Sequence, residues 1–149
     1  QSAFMQSIRE NQSPGGDVPA QIPGKSNFYD TTNPPHQSCT DIAWTSAWPR
    51  ITSMLHEYYG DRTIVQNMWP SLVRYTENLI AHANVSTPVG LSTCDTYQDW
   101  LCNKEGFPKV SCCSGVPANS SCPVAKEMGG FSYVKVLEVM AQMAQVVGE

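Results

Sequence analysis

A pair of apolar stripes with helical spacing, separated by a Gly-Asp pair at residues 60 and 61, constrains the fold most. Large apolar side chains recur every four or three residues, the period of one buried face of an α-helix. The stripes comprise Trp44, Trp48, Ile51, Leu55 and Tyr58, then Ile64, Val65, Met68, Leu72, Val73, Tyr75, Leu79 and Ile80. A connection of two residues predicts that the two helices pack antiparallel.

Two prolines interrupt this pattern. Pro49 removes one helical hydrogen-bond donor, so we expect either a kink or a helix that begins near Ala47 after an irregular approach. Pro70 is favourable in the first turn of a helix, and we therefore expect it to open a second segment after a short turn capped by Asp61.

Helices are also predicted near both ends of the chain. Residues 1 to 12 look like the last part of a helix, and residues 126 to 147 form a long helix that runs into Gly148. Their apolar positions are Phe4, Met5 and Ile8, then Tyr133, Leu137, Met140, Ala144 and Val147. We expect residues 1 to 149 to be one all-α domain, incomplete at both ends.

Two long stretches lack helical periodicity, residues 13 to 38 and residues 84 to 125. Because the helices between them are joined by a short turn, we expect both long loops to lie on one face, where a site would be placed. The second stretch holds five of the six cysteines and is predicted to be a disulfide-rich insertion. The cysteines are Cys39, Cys94, Cys102, Cys112, Cys113 and Cys122.

These cysteines fit either a metal site or disulfides, and their spacing favours disulfides. No Cys-x-x-Cys pair occurs, and none of the three histidines lies inside the cluster. The connectivity stays open. Three glycosylation sequons, at Asn11, Asn84 and Asn119, point independently to the oxidising secretory route, and Pro14 makes Asn11 the weakest of the three. We therefore expect a secreted, extracellular glycoprotein of a eukaryote.

Charge and hydropathy exclude two classes of partner. The net charge is -4, and the nine basic residues are scattered, so no basic patch for nucleic acid is expected. No apolar run approaches the roughly 20 residues that span a bilayer. We expect no nucleic acid, no membrane, no metal and no cofactor.

Two stretches, residues 39 to 48 and residues 95 to 100, combine aromatic rings with carboxylates, as carbohydrate sites do. The best candidates for sugar contacts are Trp44, near a helix start, and Asp99 with Trp100, in a loop.

Several of these residues have a structural alternative. Asp41 is as readily a helix cap as a sugar ligand. Trp48 and Trp69 are better explained as core residues because they lie on or beside apolar stripes. A disulfide near Trp100 would simply bury its ring.

Five motifs, in order and at similar spacing, resemble the inverting α-L-rhamnosidases of bacteria and fungi. Together they cover nearly the whole chain, although each alone is weakly specific. They are residues 4 to 12 with Gly16-Asp-Val-Pro19 and Ile22-Pro23; Ala43-Trp-Thr-Ser-Ala47; Tyr58-Tyr-Gly-Asp-Arg62 with Trp69-Pro-Ser-Leu72; Asp99-Trp-Leu101; and Lys126-Glu-Met128.

The resemblance implies an (α/α)6 barrel, of which this chain supplies about four helices. It also implies that Trp44, Asp99 and Trp100 line a rhamnose pocket. In the family the catalytic acid precedes the segment that begins at Gln1, and the base lies beyond Glu149. No residue of this chain is therefore assigned as catalytic.

The chain departs from the family at two glycines and in one loop. Thr45 and Gln98 replace glycines beside the expected pocket, and the insertion from 102 to 122 is long. We expect these changes to narrow or reshape the pocket.

Three functions remain in consideration. The first is a glycoside hydrolase for terminal α-L-rhamnose or a related deoxysugar. The second is a non-catalytic glycoprotein that uses the barrel for carbohydrate binding or filament assembly. The third is a self-contained disulfide-rich domain, which is disfavoured because its apolar stripes need partners. The expected partners are a carbohydrate and either the remainder of the polypeptide or neighbouring subunits.

Overall fold

The computed structural model describes residues 2–20, 22, 41–86 and 123–149, and every regular element within these ranges is a helix. The helices are α1 (Ser2–Glu10), α2 (Ile42–Thr45), α3 (Ala47–Tyr59), α4 (Arg62–Ser86) and α5 (Pro123–Val147). The predictions made for Gln98, Asp99, Trp100, Asn119 and the six cysteines lie outside the described residues.

The start of α3 shows how Pro49 is accommodated. Asp41 caps the short helix α2, because its side chain accepts a hydrogen bond from the Trp44 backbone N–H. Helix α3 then begins at Ala47, one of the two expected outcomes, and Pro49 falls in its first turn, where a missing donor costs little. Gly60 ends the helix in the left-handed conformation with φ of 67°, and its N–H donates to the His56 carbonyl at 2.8 Å.

The expectation that Pro70 opens a separate helix is wrong, because α4 runs through it without a break. The helix starts eight residues earlier, where the Asp61 carboxylate accepts the Ile64 N–H at 3.0 Å. Pro70 leaves the carbonyl of Gln66 without its helical donor, but both residues are exposed, so water can bind that carbonyl.

Helix α5 starts at Pro123 and α4 extends to Ser86, so the irregular segment predicted for 84 to 125 loses three residues at each end. Proline is well suited to the first position of a helix. The deeply buried side of α5 is also rotated from the predicted stripe: its buried apolar residues are Tyr133, Val136, Met140 and Met143, whereas Leu137 is only partly buried.

The directions of the helices follow from side chains that bridge them. The Gly60-Asp61 turn makes α3 and α4 antiparallel, as predicted. Arg62 at the start of α4 donates to the Val146 carbonyl near the end of α5 at 2.8 Å. The starts of α3 and α5 therefore lie at the end of the bundle opposite the short turn, together with Trp44.

One apolar cluster joins all five helices. Trp48 is 1% exposed, which confirms its predicted place in the core, and Trp69 is partly buried against the same cluster. Four residues of the predicted stripes are exposed instead: Phe4, Trp44, Tyr58 and Ile80. Tyr58 is exposed because the buried side of α3 is centred on Trp48, Thr52 and Leu55, and Tyr58 lies at its edge.

Candidate functional site

A small recess opens between α1, the segment that follows it, and the α2–α3 junction. Its volume is 180 Å3, on the order of six water molecules at their liquid volume. We call it the tryptophan recess. It is lined by Phe4, Ile8, Val18, Pro19, Ala20, Ile22, Trp44, Thr45, Ala47 and Trp48.

Trp44 borders this recess and is 43% exposed, so part of this residue is open to solvent. Its backbone is held by α2: the Trp44 N–H donates to the Asp41 carboxylate at 3.2 Å. Asp41 itself is fully buried. The helix-cap interpretation of Asp41 is therefore confirmed, and its burial argues against a direct sugar contact.

Thr45 and Tyr75 join α2 to α4 beside the recess. Their side-chain oxygens are 2.8 Å apart, and the Thr45 hydroxyl also donates to the Asp41 carbonyl at 3.0 Å. A hydroxyl has one proton, so Tyr75 is the donor in the first of these bonds. The Thr45 side chain, which the resemblance aligns with a glycine, is thus hydrogen-bonded within the protein and nearly fully buried.

The buried Tyr75 hydroxyl also lies near two carboxylates. Burial raises the pKa of its hydroxyl above the ordinary value, and the nearby carboxylates of Asp17 and Asp41 raise that pKa further. Its ring packs edge-on against Trp48, with centroids 5.9 Å apart and an interplanar angle of 61°. Tyr75 therefore stays neutral and acts as a fixed hydrogen-bond donor.

Gly16 and Gln12 hold the outer wall of the recess against α4 by close packing and hydrogen bonds. Gly16 has φ of 100°, and a Cβ atom there would overlap the Arg74 carbonyl oxygen, so only glycine fits. The Gln12 side chain donates to the carbonyls of Gly16 at 2.9 Å and Ser71 at 2.8 Å. Arg74 donates back to the Gln12 side-chain oxygen at 2.9 Å. These bonds fix the path of the chain into the Val18 wall.

Phe4 lies at the recess, where the sequence prediction did not place it. It was expected in the core, but Met5 and Ile8 occupy that position and Phe4 is 47% exposed at the recess. Two adjacent apolar residues on a helix can both be buried, as Ile64 and Val65 are, so the local pattern does not decide between Phe4 and Met5.

A second groove, of 450 Å3, lies between α1 and α4. Arg9 crosses it and donates to the Asn67 carbonyl at 3.2 Å, and Gln6 is bonded to Glu10. No aromatic ring lines this groove within the described ranges, so it lacks the flat surface that a sugar needs.

The described sequon residues differ in their setting. The side-chain nitrogen of Asn11, which would carry a glycan, donates to the Ser7 carbonyl at 2.8 Å. Asn84 falls in the last turn of α4. Glycosylation at both stays a prediction.

The described helices include none that is long and apolar enough to cross a membrane. Over the same residues, no group of three or more potential ligand side chains could hold a metal ion.

The sequence model of one protein family, the bacterial alpha-L-rhamnosidase 6 hairpin glycosidase domain, matches residues 1–149. The chain belongs to this family. The match covers the full chain and confirms the resemblance seen in the motifs. The helices described above are part of an all-α, six-hairpin, (α/α)6 domain. No curated protein and no solved structure matches the chain.

Membership of the rhamnosidase six-hairpin family makes this a glycoside-hydrolase-like domain whose substrate class is carbohydrate. Of the three predicted sugar contacts, Trp44 lies at the tryptophan recess, while Asp99 and Trp100 lie outside the described residues.

Proposed function

We propose that this rhamnosidase-family chain supplies one wall of the sugar pocket of a glycoside hydrolase that releases terminal α-L-rhamnose, or a related deoxysugar, with inversion. The single observation that carries the proposal is the tryptophan recess, a small and mostly apolar hollow bordered by the exposed Trp44.

The chemistry of the recess fits a deoxysugar. The C–H faces of a sugar ring pack on aromatic rings, and a methyl group at C6 needs an apolar neighbour. The described lining residues carry few polar groups: the Thr45 hydroxyl, which is engaged by Tyr75 and Asp41, and the indole N–H groups of Trp44 and Trp48. A hydroxymethyl group placed against the aliphatic and phenyl part of this lining would lose its hydrogen bonds to water without finding new ones there.

The reaction needs two carboxyl groups that the described residues do not offer. An inverting glycosidase holds its acid and base about 6.5 to 9.5 Å apart, on opposite sides of the scissile bond. Asp17 and Asp41 are buried beside Tyr75, where they support the fold of the recess rather than reach a ligand. From the family resemblance, we propose that the acid and base come from parts of the domain outside residues 1–149, and that Asp99 and Trp100 complete the pocket.

Hydrolysis of an aryl α-L-rhamnoside by the full-length protein tests this function. Trp44→Ala is expected to lower kcat/KM about tenfold or more, because it removes a stacking surface. Tyr58→Ala, which removes an exposed ring far from the recess on α3, is the matched control and should change nothing. The first sugar released should be the β-anomer, as detected by proton NMR.

Two results would contradict the proposal. Absence of turnover in a protein that retains both flanking carboxylates would exclude the hydrolase. Sugar binding without turnover would favour the alternative, a non-catalytic carbohydrate-binding or filament-forming glycoprotein.

We further propose that the protein acts outside the cell as a disulfide-bonded glycoprotein. Support comes from the even number of cysteines and the three sequons. Mass spectrometry of unreduced peptides, before and after enzymatic removal of N-glycans, tests both points: free thiols and unmodified asparagines would refute them.

A further inference from the structure

Phe4 is an exposed aromatic residue on a helix whose neighbouring apolar residues are buried. Met5 is fully buried and Ile8 is 6% exposed, while Phe4 is 47% exposed and borders the tryptophan recess. A single exposed phenylalanine is common on protein surfaces. This one differs because it lines a concave site that already contains an exposed tryptophan.

The two exposed rings come from different helices and border the same hollow. Trp44 is carried by α2, and Phe4 is carried by α1 with Ile8 one turn further along the same wall. A sugar that stacks on Trp44 would therefore have its remaining edge beside an apolar wall made by α1. Val18 and Ile22 continue that wall, so it presents no charged group.

We infer that Phe4 is a specificity-determining residue that contacts the methyl-bearing edge of the sugar held by Trp44 and favours a 6-deoxy sugar over its 6-hydroxy counterpart. This inference rests on the proposed function and adds to it a residue and a role. The 6-deoxy sugar is preferred because a hydroxyl group beside a phenyl ring is left without a hydrogen-bond partner, which costs free energy.

Because the wall is apolar, the preference for the 6-deoxy sugar that it can produce is limited. Apolar pockets reject a ligand with one extra hydroxyl by at most about 100-fold. Truncating a half-exposed phenyl ring removes only part of its contact area, so Phe4→Ala should reduce the preference about five- to tenfold. Phe4→Tyr places a hydroxyl at the ring edge. It should reduce the preference for the 6-deoxy sugar by a similar factor, because turnover of the 6-hydroxy sugar improves.

The test compares kcat/KM of the full-length protein on an aryl α-L-rhamnoside and the matching aryl α-L-mannoside, which differ only at C6. Phe131→Ala is the matched control, since Phe131 is a 66% exposed phenylalanine on α5 that does not line the recess. We expect Phe4→Ala to slow the rhamnoside and change the mannoside less than twofold, and Phe131→Ala to leave the ratio unchanged.

An unchanged ratio in both Phe4 variants, or equal losses on both substrates, overturns the role of Phe4 while the function of the recess stands. If the unmodified protein turns over neither substrate, the proposed function fails, and the inference fails with it. If Phe4→Ala lowers the melting temperature, Phe4→Tyr decides the question, because it keeps the ring.

Discussion

Removal of one hydroxyl group, in Tyr75→Phe, tests whether α4 holds the recess in place. The Tyr75 hydroxyl is fully buried and is bonded to Thr45 at 2.8 Å, 30 residues away in the chain. Because Thr45 keeps its second bond to the Asp41 carbonyl, the substitution strands no buried donor. The ring and its contact with Trp48 are retained.

The expected cost is that of one buried hydrogen bond, about 1 kcal/mol. The reverse change, Thr45→Val, should cost more, about 1 to 3 kcal/mol, because it leaves the buried Tyr75 hydroxyl without an acceptor. The Asp41 carbonyl is not stranded, since it still receives the Thr45 backbone N–H at 3.0 Å. In the double variant the stranded group is gone, so the two costs should not add.

Denaturant unfolding of the four proteins in this cycle measures the coupling between the two residues. We expect a coupling free energy of about 1 kcal/mol, and a loss of rhamnoside affinity in Tyr75→Phe that accompanies it. Thr45→Ser is the control, because it keeps the hydroxyl and should keep most of the coupling. Additive costs in the double variant would refute the claim that this hydrogen bond holds the site.

Two further predictions concern the fold around the site. Gly16→Ala should lower the free energy of unfolding by more than about 1 kcal/mol, because Gly16 has a positive φ and an added Cβ would overlap the Arg74 carbonyl. Gly60→Ala is the control: an added Cβ there meets no other atom, so the cost should be smaller. Equal melting temperatures of the two variants would contradict this prediction. Burial lowers the pKa of His82 below 6.5, so the unfolded chain binds this proton first and stability should fall as the pH drops below about 6.5. His82→Gln should weaken that dependence in denaturant titrations at several pH values, and an unchanged pH profile would contradict it.

The helices were predictable because their information is local. The part of the predicted stripe from Trp48 to Leu55 lies on the inner side of α3, and Asp41 caps α2, as their helical spacings predicted. Pro70 was misplaced because a proline signals a helix start and a helix interior equally well. The deciding fact, that Gln66 and Pro70 face solvent, depends on which side of α4 is covered by other helices.

The site was predictable only in part, because it is made of contacts between distant segments. Trp44 was predicted as a sugar contact from its residue type and its position after a long loop, and it lies at the recess. The bond between Thr45 and Tyr75 and the packing of Gly16 on Arg74 join positions that no local pattern relates. Phe4 was missed for the same reason: the choice between Phe4 and Met5 as the buried residue is made by α3, whose Thr52 hydroxyl lies 3.7 Å from the Met5 sulfur.

Saturation-transfer NMR of the full-length protein with L-rhamnose tests the central claim most directly, because it reports which protons of the sugar touch the protein. If the tryptophan recess holds the deoxysugar, the C6 methyl protons should receive the strongest saturation, and Trp44→Ala should abolish most of it while Tyr58→Ala should not. Equal saturation of all sugar protons, or a pattern unchanged by Trp44→Ala, would contradict the assignment of this recess as the sugar site.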